Sequence, residues 1–424
     1  MIPAYRESAN TLRNLRNLQA SLGRILVLLV LNRPDNDTDT ACNNALRNAL
    51  TKLTPSEQAT QCSSLKELND HADVFCIDTE ESHGPLPAKQ GVGLARKIGC
   101  DTALTWMADG AIARHWIHNS DADAILPANY FEATDGLAAQ TAAAHYPFWH
   151  LHNNKHSASK TEEATALYEL RLHQYVLGLE HAGSPYAFHT LGSCIAVRPE
   201  AYAQVRGFPR RAGAEDFYLL NKLAKTGHIR ALGKPTIAIE SRASTRVPFG
   251  TGPAVAQLST DGDLHAAEIF YHPACFEALR IVMNSIAEIA ELAGPAHSMS
   301  LKTSKPITLE QLYIACGTAL STELRDASLA ALEAMGIETA LAHCQRQSKT
   351  KEQFLRQFHQ WFDGFRTLKF VHAVRDAGWP NQSINTLQTL EPRLWPPTTE
   401  EIGDASIADL RSAVANHWGW TPSR

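Results

Sequence analysis

Seven aliphatic residues in a row, Ile25-Leu26-Val27-Leu28-Leu29-Val30-Leu31, decide the fold class of this chain. An unbroken apolar run of this length is typical of a β-strand that is buried on both faces, as the strands of parallel sheets are. Other predicted strands alternate with predicted helices around it, the strands at residues 1–5, 73–78 and 116–120 and the helices at residues 38–53 and 91–99. This alternation predicts an α/β fold with a parallel sheet and crossover helices.

The remainder of the chain divides at about residue 262. Before it we predict a helix from Pro127, a strand at residues 142–151 and a last strand at residues 236–239. After it the apolar spacing is helical throughout, with one long helix over residues 351–377. The sequence therefore predicts a mixed-sheet domain over residues 1–261 and a helical C-terminal domain over residues 262–424.

Composition and charge exclude two classes of function. The chain has 424 residues and a formal net charge of -5 at pH 7, so nucleic-acid binding has no electrostatic support. The longest purely apolar run is Ile25–Leu31, far short of the roughly 20 residues that a membrane-spanning helix needs. Without a transmembrane segment or a signal-peptide pattern, the protein is expected in the cytoplasm. Its 8 cysteines are expected to be reduced.

The acidic triplet Asp121-Ala122-Asp123 directly follows a predicted strand. In an extended segment, residues i and i+2 point to the same side, so both carboxylates are expected on one side of the chain. Carboxylate oxygens are the ligands that hard divalent cations prefer. The triplet therefore predicts a site for Mn²⁺ or Mg²⁺. The competing interpretation is a polar turn that contains two aspartates by chance.

A second acidic pair, Glu215-Asp216, opens a predicted helix. Carboxylates in a first helical turn gain from the helix dipole, so capping is the simpler interpretation. The functional alternative is a general base, since a carboxylate at the floor of a pocket can take a proton from an acceptor hydroxyl. The sequence leaves both interpretations open.

Three further segments complete a recognisable order of motifs. They are Ile2-Pro3-Ala4-Tyr5-Arg6-Glu7 at the start, Gly91-Val92-Gly93-Leu94-Ala95-Arg96 ahead of the acidic triplet, and Arg206-Gly207-Phe208 ahead of Glu215-Asp216. In this order the motifs resemble those of family 2 glycosyltransferases, which begin with Ile-Pro-Ala-Tyr-Asn-Glu, over about residues 1–240. The resemblance implies a GT-A fold, a Rossmann-like mixed sheet flanked by helices, here with a C-terminal all-helical region.

By that resemblance the chain is an inverting, metal-dependent glycosyltransferase. It would move a sugar from a nucleotide-diphosphate donor to a hydroxyl of a small-molecule, glycan or lipid-linked acceptor, and a homo-oligomer is compatible with the sequence. Asp123 would hold the Mn²⁺ or Mg²⁺, with Asp121 as a second ligand or a ribose contact. Asp216 is the preferred base and Glu215 its rival. The nucleotide would be lined by Pro3, Ala4, Tyr5, Glu7, Asp35, Arg96 and Asp121.

The chain departs from the family where the second strand ends. The family has Asp-Asp-Gly-Ser-Thr-Asp there, whereas this chain has Asn32-Arg33-Pro34-Asp35-Asn36-Asp37, so Asp35 or Asp37 is expected to contact the base and ribose. Two other functions compete with sugar transfer. Nucleotidyl transfer is disfavoured because the Gly-x-Gly-x-Arg loop that usually follows the first strand does not occur. A non-catalytic GT-A-like module that binds sugar or protein is disfavoured because both acidic motifs are retained.

Two polar loops carry further candidates. Residues 241–252 contain Arg242, Arg246 and two glycines, which suits a loop that closes over a diphosphate or, alternatively, a domain linker. Alternating histidines at His150, His152 and His156 could bind zinc, but the absence of a His-Glu-x-x-His helix favours an ordinary surface loop.

Overall fold

The computed structural model describes residues 1–21, 23–58, 64–151, 159–242, 250–260, 262–292, 307–317, 319–397 and 405–420. The chain forms two compact units. The first comprises Met1–Ala166, Thr190–Thr260 and Ala415–Arg424, and the second comprises Leu167–His189 and Asp261–Val414. Each unit thus includes a segment from the other half of the sequence. Within the described ranges, no helix is long and apolar enough to cross a membrane.

The aliphatic run is strand β2, and it lies inside the first sheet of unit one. The strands of this sheet are β1 (Ile2–Ala4), β2 (Ile25–Leu31), β3 (Leu65–Asn69) and β4 (Ala72–Asp78), in the order β1-β2-β4-β3. Both β1 and β4 are parallel to β2, as predicted. The sequence does not predict β3, which is antiparallel to β4, because its Leu-Lys-Glu-Leu-Asn run is short and largely polar.

A second sheet continues from the edge at β1. Its strands are β5 (Ile117–Asn119), β7 (Thr141–His145), β9 (Ile195–Val197) and β10 (His228–Ala231), in the order β10-β7-β9-β5. Because β5 and β9 are antiparallel, this part of the domain adds antiparallel pairing to the parallel strands around β2, as the predicted mixed sheet requires. On the other side of β5, Met1 N donates to the His118 carbonyl at 2.7 Å and Ser120 N donates to the Met1 carbonyl at 3.1 Å. The ends of β1 and β5 therefore lie side by side.

The third sheet is small and stands next to the acidic triplet. It contains β6 (Ala124–Ile125), β8 (Phe148–Leu151) and β11 (Ile237–Glu240), in the order β6-β11-β8. The strand predicted over residues 142–151 is two strands, β7 and β8, separated by Pro147, which has no N–H for a ladder. β11 is antiparallel to β6, with Ile239 opposite Ala124.

The helices up to residue 260 are α1 (Asn10–Leu15), α2 (Asn44–Leu50), α3 (Thr79–Ser82), α4 (Gly91–Ala108), α5 (Lys160–His181), α6 (Pro199–Gln204), α7 (Glu215–Leu223) and α8 (Thr251–Thr260). The predicted helix over residues 38–53 is shorter because Asp37 and Asp39 accept the N–H groups of Asp39 and Ala41, and such local bonds compete with a helix. The helix predicted from Pro127 is only a 3₁₀ turn at Tyr130–Thr134.

Unit two is built from helices around an aromatic core. The later helices are α9 (Pro273–Leu292), α10 (Leu309–Cys316), α11 (Thr322–Ala334), α12 (Ile337–Gln347), α13 (Lys351–Trp361), α14 (Gly364–Asp376), α15 (Ile384–Leu387) and α16 (Ile407–His417). Phe276, Phe358 and Phe370 are fully buried there. The single helix predicted over residues 351–377 is two, because the Asp363 side chain caps Arg366 N and starts α14. An α/β fold followed by a helical C-terminal region is confirmed.

Candidate functional site

Two asparagines hold the turn that follows β1. The Asn43 side chain accepts the Arg6 N–H at 2.9 Å and donates to the Asn32 carbonyl at 2.9 Å. The Asn32 side chain in turn donates to the Ala4 carbonyl at 3.1 Å. Arg6 has φ of +55°, in the left-handed region that asparagine tolerates better than arginine.

Of the two acids offered by the sequence for the base and ribose, Asp37 is the one that contacts Tyr5. The Tyr5 hydroxyl donates to Asp37 Oδ2 at 2.6 Å, and the Arg6 guanidinium pairs with the same carboxylate at 2.8 Å. Mainly through the Tyr5 hydroxyl, the pKa of the Asp37 carboxyl lies below its ordinary value. Asp35 is exposed, and its carboxylate accepts the Ala88 N–H at 3.0 Å.

The acidic triplet forms a turn, and the prediction of an extended segment is wrong. Ala124 N donates to the Asp121 carbonyl at 3.2 Å, which closes the turn immediately before β6. The two carboxylates pair with different arginines: Asp121 with Arg96 at 2.6 Å, and Asp123 with Arg242 at 2.7 Å. Within the part of the chain that the structure describes, no three His, Cys, Asp or Glu side chains converge as a metal cluster.

Arg96 joins the acidic triplet to the acidic pair. This residue of α4 has a side chain only 3% exposed, although a helix-face arginine is ordinarily solvated. Its Nη2 donates to Asp121 Oδ1 at 2.6 Å and its Nε donates to Glu215 Oε1 at 2.9 Å. Burial would lower the pKa of Arg96, but the charges of Asp121 and Glu215 outweigh burial and raise it. The buried guanidinium therefore stays charged between two carboxylates.

Two glycines allow α4 to approach this closely. Gly93 N donates to the Arg211 carbonyl at 2.9 Å, and a Cβ at Gly93 would lie 2.4 Å from the Pro209 carbonyl oxygen. A Cβ at Gly192 would lie 2.6 Å from Arg96 Nη2. Either methyl group would displace backbone or the buried guanidinium. Gly93 of the α4 motif thus allows close packing against the segment that leads to α7, and Gly192 leaves room for the Arg96 guanidinium.

Asp216 is a half-buried residue in the first turn of α7, and backbone N–H groups hold its carboxylate. It accepts the Gly192 N–H at 2.7 Å on Oδ2 and the Phe217 N–H at 2.7 Å on Oδ1. The bond from Phe217 satisfies one N–H group of the first turn of α7, although no side chain caps the helix at Ala214. Burial raises the pKa of Asp216 to about 7, the neighbouring Glu215 adds to the rise, and Arg96 opposes it. An acid that titrates near neutral pH can exchange protons in either direction.

Arg242 reaches the site from the end of β11. The antiparallel pairing of β11 with β6 continues through a bond from Glu240 N to the Asp123 carbonyl at 3.2 Å. The Arg242 guanidinium donates two hydrogen bonds to Glu7, at 3.0 and 3.2 Å, and pairs with Asp123. The rest of the loop up to residue 249, with Arg246, lies outside the described residues. So do His152 and His156, whereas His150 is buried.

With this geometry established, the chain can be compared with known proteins. No protein-family model and no curated protein matches it. Among the solved structures similar to it are glycosyltransferases.

One is S. aureus TarS 1-349 in complex with UDP-GlcNAc, 14% identical over 82% of this chain and 90% of that chain, with a TM-score of 0.38. Another is the mannosyltransferase PcManGT from Pyrobaculum calidifontis in complex with GDP-Man and Mn²⁺, 19% identical over 85% of each chain, with a TM-score of 0.33. At these TM-scores neither structure bears on the position of a side chain here.

Several residues of the site were not singled out from the sequence. Asn32 directly follows the aliphatic run of β2, and an amide at the carboxyl end of a buried strand was an available signal for it. Asn43 and Gly192 gave no signal, because each acts through a contact with residues distant in sequence. For Arg242 the sequence predicts a position in a loop that closes over a diphosphate. Its pairing with two carboxylates depends on the register of β11, which the sequence does not report.

Proposed function

We propose that this chain is an inverting glycosyltransferase that uses a nucleotide-diphosphate sugar and a divalent cation. The observation that carries the proposal is the bridge made by Arg96 between Asp121 and Glu215. Through this bridge, the end of β5 and the start of α7 form one site beside the turn after β1. The donor and the base of a single-displacement reaction need that proximity.

Asp216 is the proposed base. Hydrogen bonds from two backbone N–H groups fix its carboxylate, and a carboxylate has lone pairs left for an acceptor hydroxyl. Asp216 would take the hydroxyl proton as the acceptor oxygen forms a bond to the anomeric carbon. The bond from that carbon to the diphosphate oxygen breaks on the opposite face, and the electron pair leaves with the diphosphate. Glu215, 5% exposed and bonded to Arg96, is better placed to orient Arg96 than to reach an acceptor.

The donor would lie along the turn after β1. Pro3 and Ala4 end the strand there. Tyr5 offers a hydroxyl, and Asp37 a carboxylate, to the nucleobase or the ribose of the donor. Asp123, supported by Asp121, supplies the hard oxygen ligands that Mn²⁺ or Mg²⁺ prefers. A cation held there would neutralise the charge that builds on the departing diphosphate.

The proposal is tested first by binding. Thermal unfolding is followed with UDP, GDP and their sugars, each with and without Mn²⁺. A nucleotide present at about 100 times its Kd should stabilise the fold by about 2.7 kcal/mol. We expect stabilisation by one of the two nucleotide classes, strengthened by Mn²⁺ in the wild type but not in Asp123→Asn. If no nucleotide stabilises the protein under either condition, the non-catalytic binding module becomes the better account.

The products separate sugar transfer from nucleotidyl transfer. A glycosyltransferase releases a nucleoside diphosphate from its donor sugar, whereas a nucleotidyltransferase releases pyrophosphate from a nucleoside triphosphate. Chromatography of the reaction mixture should therefore show UDP or GDP, with an inverted anomeric configuration in the product. Release of pyrophosphate, or retention of configuration, would contradict the proposal.

A further inference from the structure

A single nitrogen of Arg242 lies between two carboxylates of different motifs. Its Nη2 is 2.7 Å from Asp123 Oδ2 and 3.0 Å from Glu7 Oε1. Asp123 comes from the turn after β5, and Glu7 from the turn after β1. These two turns meet because Met1 bonds to the β5 backbone. A positive group is therefore already present at the point where the two acids converge.

The same two carboxylates suit a divalent cation. Mg²⁺ and Ca²⁺ bind carboxylate oxygens at roughly 2.0–2.6 Å, and a cation near the position of Arg242 Nη2 would meet an oxygen of Asp123 and an oxygen of Glu7 after small shifts. A guanidinium and a divalent cation cannot both occupy this position. Binding of one must displace the other.

Burial differs between the arginine and its partners. The side chain of Arg242 is 34% exposed, whereas those of Glu7 and Asp123 are 11% and 15% exposed. The two acids are thus more buried than the guanidinium, which belongs to a residue two positions after the end of β11. Solvent partly screens an ion pair whose guanidinium is one-third exposed, which weakens it relative to a fully buried pair. A divalent cation with two carboxylate ligands can outcompete such a pair.

We propose that Arg242 is an internal counterion that occupies the cation position of the nucleotide-free protein and yields it to the divalent metal. This inference rests on the proposed function, since it takes Asp123 as a metal ligand, and it adds Glu7 as a second ligand. The released guanidinium would then be beside the anionic diphosphate, which it can bind through paired hydrogen bonds. Arg242 therefore opposes metal alone and favours metal that arrives with a nucleotide diphosphate.

The test is a titration of Mn²⁺ into the protein, with free Mn²⁺ measured by electron paramagnetic resonance. Without nucleotide, Arg242→Gln should bind Mn²⁺ about threefold to tenfold more tightly than the wild type. With saturating UDP, and in a parallel series GDP, the order should reverse, because the variant lacks the contact with the diphosphate. A residue that only braces the fold would not produce this reversal.

Three further variants keep the result interpretable. Arg114→Gln removes the same charge from an exposed pair with Asp135, at 2.8 Å, and should leave the Mn²⁺ affinity unchanged. Asp123→Asn should abolish the binding. Arg242→Lys keeps the charge but loses the pair of hydrogen bonds to Glu7, so it should bind Mn²⁺ with intermediate affinity. This variant replaces Arg242→Gln in the titration if Arg242→Gln fails to fold.

Equal Mn²⁺ affinity in the wild type and both Arg242 variants would overturn the counterion role. Glycosyl transfer would stand in that case, as judged by release of the nucleoside diphosphate. If Mn²⁺ binds to none of these proteins, with or without nucleotide, then this proposal and the metal dependence of the reaction are both wrong.

Discussion

Arg96 and Arg242 make the same kind of contact on two sides of one turn. Arg96 joins Asp121 to Glu215, and Arg242 joins Asp123 to Glu7. The side chain of Arg96 lies inside the fold, whereas that of Arg242 is one-third exposed at a strand end. Because the two arginines differ in burial, we expect Arg96 to brace the fold permanently and Arg242 to be a replaceable counterion.

The largest difference is expected in stability. Arg96→Met leaves Glu215 buried without its partner, and breaking a buried pair in this way costs about 3–5 kcal/mol. Arg242→Met should cost about 1 kcal/mol or less, because its pair is partly solvated. Urea unfolding followed by circular dichroism measures both. Equal losses in the two variants would remove the distinction between brace and counterion.

The next largest effect is expected in the rate of transfer when Asp216, beside the Arg96 bridge, is replaced. Asp216→Asn should lower kcat by about 10²–10⁴, the usual contribution of a general base. In the wild type, transfer should rise with pH through about 7 and level off above it, because the base must be ionised to accept a proton. Steady-state rates between pH 5 and 9 measure this. A rate that does not change between pH 6 and 8 would exclude Asp216 as the base.

The same pKa has a consequence for stability. Because the pKa of Asp216 is raised in the folded state, its contribution to stability is present below its ordinary value near 4 and is lost as pH rises through about 7. Relative to the wild type, Asp216→Asn should therefore be more stable at pH 8, and by a larger margin than at pH 5. Melting temperatures at the two pH values test the sign, and a variant that is less stable at pH 8 would contradict the assignment.

A smaller effect is expected from crowding the Arg96 side. Gly192→Ala places a methyl group 2.6 Å from Arg96 Nη2, and overpacking of this kind costs about 1–3 kcal/mol. Gly233→Ala is the matched control, because its Cβ would meet its nearest neighbour, the Gly419 carbonyl oxygen, at an ordinary 3.7 Å. Chemical unfolding of both variants should show a loss for Gly192→Ala alone.

The smallest effect concerns the two ends of α7. Ala214, just before Glu215, has φ of +55°, whereas Ala224 at the other end has φ of -59°. Glycine relieves left-handed strain worth about 1–2 kcal/mol but costs up to about 1 kcal/mol in an ordinary helical conformation. Ala214→Gly should thus be neutral or stabilising, and Ala224→Gly destabilising. Similar losses of melting temperature in both would show that no strain is stored before the acidic pair.

The sequence predicts those parts of the fold that have a local signal. It does not predict those parts that depend on which strands pair with each other. The aliphatic run of β2 specifies a doubly buried strand and is found as predicted. The direction of β5 is set by β9, whose residues lie almost 80 positions later, so no local pattern reports it. Likewise, two acids separated by one residue predict a shared ligand only if the chain there is extended. In the structure, a hydrogen bond from Ala124 N to the Asp121 carbonyl folds this segment into a turn.

For the site, the sequence predicts the acidic residues but not the arginines that pair with them. The sequence predicts Asp121, Asp123, Glu215 and Asp216 as site residues from their position after a strand or at a helix start. The sequence predicts Arg96 as a nucleotide contact, whereas the structure buries it between two of these acids. Burial of a charged side chain follows from the fit of α4 against Gly192, which only the folded chain reveals.

The central claim is that the strand-end acids and the helix-start acids form one site for sugar transfer. The most direct measurement is the release of nucleoside diphosphate from UDP- and GDP-sugars with Mn²⁺, for the wild type and Asp216→Asn, alongside the nucleotide affinity of each. We expect release by the wild type, at least a hundredfold slower release by the variant, and equal nucleotide affinity in both. Unchanged release by a variant that still binds nucleotide would contradict it.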